Sequence, residues 1–229
     1  MNISQTTREI LKGLSRYQGI SAQFYSGTSH KFIFKDSQVA IYFETEESFP
    51  KSFTTTNLKN LINILDINKK GNIEFTDNEL IINEGRHLIK FPIEPNDNEF
   101  RDFRETKPSG PETLISTETY NKIMRIAKAN KPKEERTKGP FISSNETYIN
   151  LHSDNGSIYS YTSYQRGQQS AEQRTYIGKG DLEYEVKFKA DLFKPIKGDY
   201  IITPGDIIKI RSMDYRMSTY ICNQNYGKA

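Results

Sequence analysis

The chain has 229 residues, enough for one large domain or two ordinary ones, and 32 Lys and Arg against 29 Asp and Glu give a net charge of +3. Hydrophobic residues make up 34% and the 14 glycines add about 6%, so the apolar share lies below the roughly 45–50% of an average globular domain. The single cysteine, Cys222, excludes a disulfide framework within the chain and a multi-thiolate zinc site, and no apolar run approaches the ~20 residues that cross a bilayer, so a soluble protein of a reducing, cytoplasmic compartment with no membrane partner is expected.

Thr6 to Tyr17 reads as a helix. Thr6 and Glu9 have capping-box spacing, Ile10, Leu11 and Leu14 form an apolar stripe, and Arg8, Lys12 and Arg16 recur on the opposite face. Strands are expected at Ile20–Tyr25, Lys31–Phe34 and Val39–Phe43, with turns at Gly27-Thr28 and Asp36-Ser37. A second helix fits Thr56 to Asp66, with Leu58, Leu61, Ile62 and Leu65 on one side. Strands at Asn72–Thr76, Glu79–Asn83 and Arg86–Phe91 follow, joined by tight turns at Asp77-Asn78 and Glu84-Gly85. Residues 92–111 carry Pro92, Pro95, Pro108 and Pro111 and read as an extended connector, pinned to a surface by Phe100 and Phe103.

The order then starts again. A helix is expected at Thr117–Asn130, with Tyr120, Ile123, Met124 and Ala127 inward and Lys122, Arg125 and Lys128 outward. Strands follow at Phe141–Ser144, Tyr148–Leu151 and Ser157–Thr162, then a polar, mobile stretch at Ser163–Asp181. A strand at Leu182–Phe188, a short helix at Ala190–Pro195, and strands at Tyr200–Thr203, Asp206–Arg211 and Arg216–Cys222 complete the chain. Phe53 and the residues after it align with Phe188 and those after it. The chain therefore reads as a duplicated α+β unit: an N-terminal domain at 1–91, a connector at 92–111 and a C-terminal domain at 112–229.

No catalytic constellation is present. His30, His87 and His152 lie far apart on strands or turns, and none pairs at metal-ligand spacing on a helix. Glu46-Glu47 and Glu134-Glu135 are adjacent in sequence, which in a strand sends them to opposite faces. A non-enzyme without cofactor or metal is expected. The remaining signal is basic. Up to Pro108 there are 14 basic and 15 acidic residues, net −1, and beyond it 18 and 14, net +4. Arg8, Lys12 and Arg16 in the first half and Lys122, Arg125 and Lys128 in the second occupy corresponding helix faces. Lys131 and Lys133 follow the second of these helices, Lys69 and Lys70 follow the short helix of the first half, and Lys194 and Lys197 that of the second. Aromatics are absent from those faces. Such a surface contacts the phosphates of a duplex without reading bases or stacking on a single strand.

Thr6-Thr7-Arg8-Glu9-Ile10-Leu11-Lys12, Ser52-Phe53, Asn57-Leu58, Ile62, Gly71-Asn72-Ile73 and Leu88–Phe91, with Ser116-Thr117, Ile123-Met124-Arg125, Tyr184–Phe188 and Gly198-Asp199-Tyr200 in the second half, resemble the sliding clamps of tailed bacteriophages. The resemblance covers nearly the whole chain and implies a proliferating-cell-nuclear-antigen-like fold of two repeated clamp domains. In that family six similar domains close a ring, helices line its hole and antiparallel sheets lie outside. Two domains per chain imply a homotrimer around duplex DNA, with a replicative DNA polymerase and a clamp-loader ATPase as partners. The resemblance also implies an apolar pocket for partner peptides near the connector, with Ile93, Phe100, Phe103, Tyr220 and Ile221 as candidates, and edge-strand contacts between subunits. Arg86–Phe91 against Ser157–Thr162 of the neighbour is the expected pair. The alternatives are a non-ring DNA-binding processivity or single-strand-binding module, and a β-rich virion structural protein.

Overall fold

The structure is a computed structural model that describes residues 1–17, 20–34, 39–69, 71–96, 112–129, 148–166, 169–179, 182, 185–189 and 192–224. The chain divides into two compact units, one of residues 1–105 with 211–220, the other of residues 106–210 with 221–229.

The first unit opens with α1 (Gln5–Leu14), followed by the antiparallel meander β1 (Ile20–Phe24), β2 (Gly27–Phe34) and β3 (Val39–Phe49). The short strand β4 (Phe53–Thr55) returns to pair with β1, so Phe24 stands opposite Phe53. Helix α2 (Leu58–Ile67) leads into a three-stranded sheet of β5 (Asn72–Phe75), β6 (Glu79–Glu84) and β7 (His87–Pro92). The turn between β6 and β7 needs a left-handed residue, and Gly85 supplies it at φ 62°. Both helices pack on the core side of the meander. Ile10, Leu11 and Leu14 of α1 and Leu58, Leu61, Ile62 and Leu65 of α2 are buried there. Phe24 stacks on Phe53 at 4.6 Å and meets Phe43 edge-on at 6.1 Å, a geometry that adds to simple area burial.

The α1 cap differs from the expected capping box. The helix begins one residue before Thr6, and Ser4 is the N-cap, its hydroxyl accepting from the Thr7 amide at 3.2 Å. The acidic partner comes from β3 rather than from the helix. Glu47 accepts from the Ser4 amide and, at 2.7 Å, from the Thr7 hydroxyl. A carboxylate here satisfies orphan donors and opposes the positive end of the helix.

The second unit begins with β8 (Thr113–Ser116) and α3 (Thr117–Ala129). Ser116 caps α3, accepting from the Thr119 amide at 3.0 Å. A second meander follows, of β9 (Tyr148–Asp154), β10 (Ser157–Arg166) and β11 (Gln169–Lys179), and β12 (Val186–Lys189) returns to pair with β9. β13 (Asp199–Thr203) pairs with β8 and precedes β14 (Ile207–Ser212). Asn223 ties these parts together, its side chain donating to Gly205 O at 2.9 Å and Glu185 O at 3.1 Å. The last strand, β15 (Met217–Cys222), lies next to β3 in the first unit as far as Tyr220, and the Glu44 amide donates to Arg216 O at 2.9 Å just before it.

The duplication is visible in the pairing pattern. In each unit a helix precedes a three-stranded meander, and a short strand then pairs back onto the first strand of that meander: β4 on β1, β12 on β9. Phe53 and Phe188 sit in those returning strands and are both fully buried. The chain ahead of each helix also pairs alike. Met1 bridges Ile73 of β5 through amide and carbonyl, as β8 bridges β13.

Several expectations need correction. The described residues within Ser163–Asp181 form a hairpin rather than a structureless stretch: β10 runs on to Arg166, and β11 pairs with it in a register from Ser157↔Lys179 to Arg166↔Gln169. Polar residues on a strand satisfy a backbone ladder as well as apolar ones, so polarity alone hid this hairpin. β4 and β8 were not expected, because three or four residues are too few to show alternation. The short helix at Ala190–Pro195 appears among the described residues only as a 3₁₀ turn at Leu192. The strand at Phe141–Ser144 and the turn at Asp36-Ser37 lie outside the described residues.

Candidate functional site

In α3 the buried residues Tyr120 and Ile123 recur at a spacing of three, and the Tyr120 hydroxyl donates to Phe193 O at 3.0 Å. That fixes the rotation of the helix. Lys122 and Arg125 therefore face solvent, and with Thr117, Glu118, Thr119 and Asn121 they line an open depression. Lys128 continues the same helix, but its side chain lies outside the described residues, as do Lys131 and Lys133. Lys197 is exposed and Lys194 half-buried ahead of β13.

In α1 the expected trio does not stay together. Lys12 is exposed and lies 3.8 Å from Asp66 of α2. Arg16 is exposed just past the helix, its Nε donating to Gly13 O at 3.2 Å. Arg8 is only 8% exposed. Its guanidinium donates to Ile3 O at 3.2 Å, to Lys69 O at 3.1 Å and to Leu65 O. Leu65 and Lys69 mark the C-terminal end of α2, where carbonyls lack helical partners and the dipole is negative. Arg8 is thus a buried helix cap, which corrects its expected place on the phosphate-facing surface. The fourfold spacing that suggested a common face is compatible with either role, because the long side chain reaches back across the neighbouring helix. Lys69 itself is exposed, and Lys70 lies outside the described residues.

The expected peptide pocket has no exposed member among the described residues. Ile93 is 5% exposed and Tyr220 6%, while Ile221 has no exposed surface. Tyr220 packs edge-on against Tyr42 at 5.4 Å. Ile93 donates its amide to Asn78 O at 2.9 Å, and Thr54 and Glu94 exchange backbone bonds of 2.8 and 3.0 Å, which hold the start of the connector against β4. Phe100 and Phe103 lie outside the described residues. The expected subunit contact is also corrected in part. β7 is an edge strand, but Ser157–Thr162 lies in β10, paired with β9 on one side and β11 on the other. A strand with both ladders filled cannot take a neighbour, and the edges of that sheet among the described residues are β11 and β12.

His30 is buried, accepts from the Tyr25 amide at Nδ1 over 3.1 Å and faces Thr45 Oγ1 at 2.9 Å from Nε2. Because Nδ1 accepts, the proton sits on Nε2. Burial lowers its pKa to about 4. Hydrogen bonds from Thr6 and then Ser4 hold the Glu46 carboxyl below its usual range, the opposite of what a general acid requires. Among the described residues no group of three His, Cys, Asp or Glu is gathered closely enough to hold a metal, and no helix is long and apolar enough to cross a membrane.

Two repeated α+β units, each presenting a helix ahead of a meander of antiparallel strands, constitute the sliding-clamp fold. The chain is similar over 97% of its length, at a TM-score of 0.63 and 14% identity, to 98% of a chain of the PCNA2–PCNA3 complex of Sulfolobus tokodaii. It is similar at a TM-score of 0.61 and 9% identity to the proliferating cellular nuclear antigen of Entamoeba histolytica, covering 96% of this chain and 95% of that one. The beta clamp of Helicobacter pylori bound to a DNA ligase peptide is also similar, at a TM-score of 0.65 and 13% identity, and 97% of this chain matches 64% of that longer one. No protein-family model and no curated protein sequence matches the chain.

Proposed function

We propose that this chain is a sliding clamp: a ring that encircles duplex DNA without regard to sequence and tethers a replicative DNA polymerase. The observation that carries the reading is the clamp fold over 97% of the chain. The exposed Lys12, Arg16, Lys122 and Arg125 support it, because they put positive charge on a helix of each unit. Two units per chain make three chains the number that closes six domains. β7 of one copy and β11 of the next are the edge strands this closure would pair, and a closed ring leaves no edge unpaired. The helices would line the hole, where weak phosphate contacts hold the ring without arresting it. A loader ATPase would open the ring, and client peptides would dock near the connector that begins at Ile93. On this reading, which the resemblance of the sequence to bacteriophage clamps supports, the work is done in the cytoplasm of a phage-infected host.

Light scattering coupled to size exclusion tests the assembly, with three chains per particle expected. Loading with a clamp loader onto nicked circular DNA tests the topology. The ring should be retained on the circle and released when the circle is cut. A monomer at all concentrations, combined with equal retention on cut and uncut DNA, would overturn the reading.

A further inference from the structure

The sheet of β9 to β12 has two chemically distinct faces. Ile149, Leu151, Ile158, Val186 and Phe188 are buried on one side, the side on which α3 packs against β10 and β11. Side chains alternate along a strand, so the residues between them point the other way. Register brings five outward residues together. Tyr159 stands opposite both His152 and Tyr176, and Tyr161 opposite Arg174. Tyr176 is 53% exposed, a large ring left in water.

The contacts on this outward face are ordered. The Arg174 guanidinium lies 3.4 Å from the centroid of the Tyr159 ring and 5.7 Å from that of Tyr161. Arg174 Nη2 meets Asp154 Oδ2 at 2.9 Å. The Tyr159 and Tyr176 rings meet edge-on at 5.7 Å, and His152 meets Tyr161 edge-on at 4.8 Å. His152 Nδ1 lies 2.6 Å from Glu185 Oε1. Lys187, opposite Asn150, and Lys189, opposite Tyr148, extend the positive charge onto β12. Arg174, Lys187 and Lys189 against Asp154 and Glu185 give these five side chains a net charge of +1.

We propose that this sheet face binds single-stranded nucleic acid, with a base stacked on Tyr176 and the backbone held by Arg174, Lys187 and Lys189. An exposed ring beside half-buried rings and cations on a sheet gives what a single strand needs: a π-face for a base of any identity and charge for phosphates. A duplex hides its base faces and gains nothing from the rings. The basic face of α3 differs in the respect that matters, because it carries Lys122 and Arg125 without an exposed aromatic among its described residues. One unit thus offers two nucleic-acid surfaces of different preference. The inference needs no ring and stands apart from the assembly reading.

The test is fluorescence anisotropy of a labelled 20-nucleotide oligothymidylate titrated with the full chain at low salt, beside a 20-base-pair duplex. The oligothymidylate should bind and weaken with added salt. Tyr176→Ala should lower its affinity by about tenfold, on the scale of one lost base stack, while Tyr176→Phe retains it. Lys122→Ala with Arg125→Ala should weaken duplex binding and leave oligothymidylate binding unchanged. Thermal melts matched to the parent confirm that the variants fold, as expected for a side chain this exposed. Parent-like binding by Tyr176→Ala and by Arg174→Gln would overturn the proposal. So would an absence of oligothymidylate binding, including the case in which an acidic peptide binds the face instead.

Discussion

The hydroxyl of Tyr215 donates to Glu9 Oε2 at 2.8 Å, closing a separation of 206 positions within the first unit. Arg216 adds an ion pair to Glu44 at 3.3 Å, and its carbonyl takes the Glu44 amide. Residues 211–220 are thereby built into the unit that begins the chain. Tyr215→Phe removes the hydroxyl and keeps the ring. It should lower stability by about 1.5 kcal/mol, the low end of the net value of a hydrogen bond to a charged group. Urea unfolding measures this, and an unchanged midpoint would mean that water replaces the bond without loss.

Arg8 separates stability from binding. Its removal leaves the Leu65 carbonyl and its neighbours at the end of α2 without their donor. Arg8→Ala should cost about 3 kcal/mol, and Arg8→Lys should recover only part, because an ammonium cannot reach three carbonyls with a planar fork. Below the melting temperature, duplex affinity should stay at the parent value. A marked drop in duplex affinity with stability unchanged would return Arg8 to the phosphate-facing surface.

His30 sets a pH limit. Its pKa is about 4 in the folded chain against 6.5 for the free side chain. The unfolded chain therefore binds the extra proton first, and stability falls as pH drops from about 6.5 to about 4. The contribution is fully present above that window. Its full size is about 3 kcal/mol, from the difference between the two values. Protonation at Nδ1 would also break the bond from the Tyr25 amide, and the rings of Phe24, Phe43 and Phe49 around it offer no counter-charge. Subtracting the stability–pH curve of His30→Gln from that of the parent isolates this slope from the carboxylates. A flat difference between pH 4 and 6.5 would show that His30 titrates normally.

Much of the fold was legible because its periodicities are clean. The apolar spacing of α1, α2 and α3 and the tight turn at Gly85 located the helices and the β5–β7 sheet to within a few residues, and Phe53 and Phe188 marked the repeat. What escaped depends on pairing partners that a local pattern cannot show. β11 is polar, and only its register with β10 makes it a strand. Glu47 caps α1 from 40 positions away, measured to Thr7. Arg8 looks like any surface arginine until α2 is placed beside it. The outward rings of Tyr159 and Tyr176 have alternation as their signal, but without the hairpin there was no face to assign them to.

The remaining cations should act on phosphates. Lys12 and Arg16 are exposed at α1, Lys122 and Arg125 on α3. Lys12 is weakly held, since its 3.8 Å approach to Asp66 is a solvent-exposed pair whose stabilisation is about 0–1 kcal/mol. A phosphate can therefore displace it at small cost. Each phosphate contact releases counterions, so the slope of log affinity against log salt should fall by roughly 0.9 for each contact removed. Lys122→Ala with Arg125→Ala should lower the slope by up to about 1.8 per chain, and Lys12→Ala by less, because it removes a single contact. The loss should be the same on duplexes of unrelated sequence, since phosphates carry no base information. Primer extension in the presence of polymerase should shorten in parallel, while the number of chains per particle stays unchanged. A salt series on two duplexes, one rich in A·T pairs and one in G·C pairs, reads all of this together. If the double variant keeps the parent slope and the parent product lengths, these faces are only solvated and the duplex lies elsewhere. If the slope changes on one duplex and not the other, the contacts reach the bases, and sequence-independent sliding fails with them.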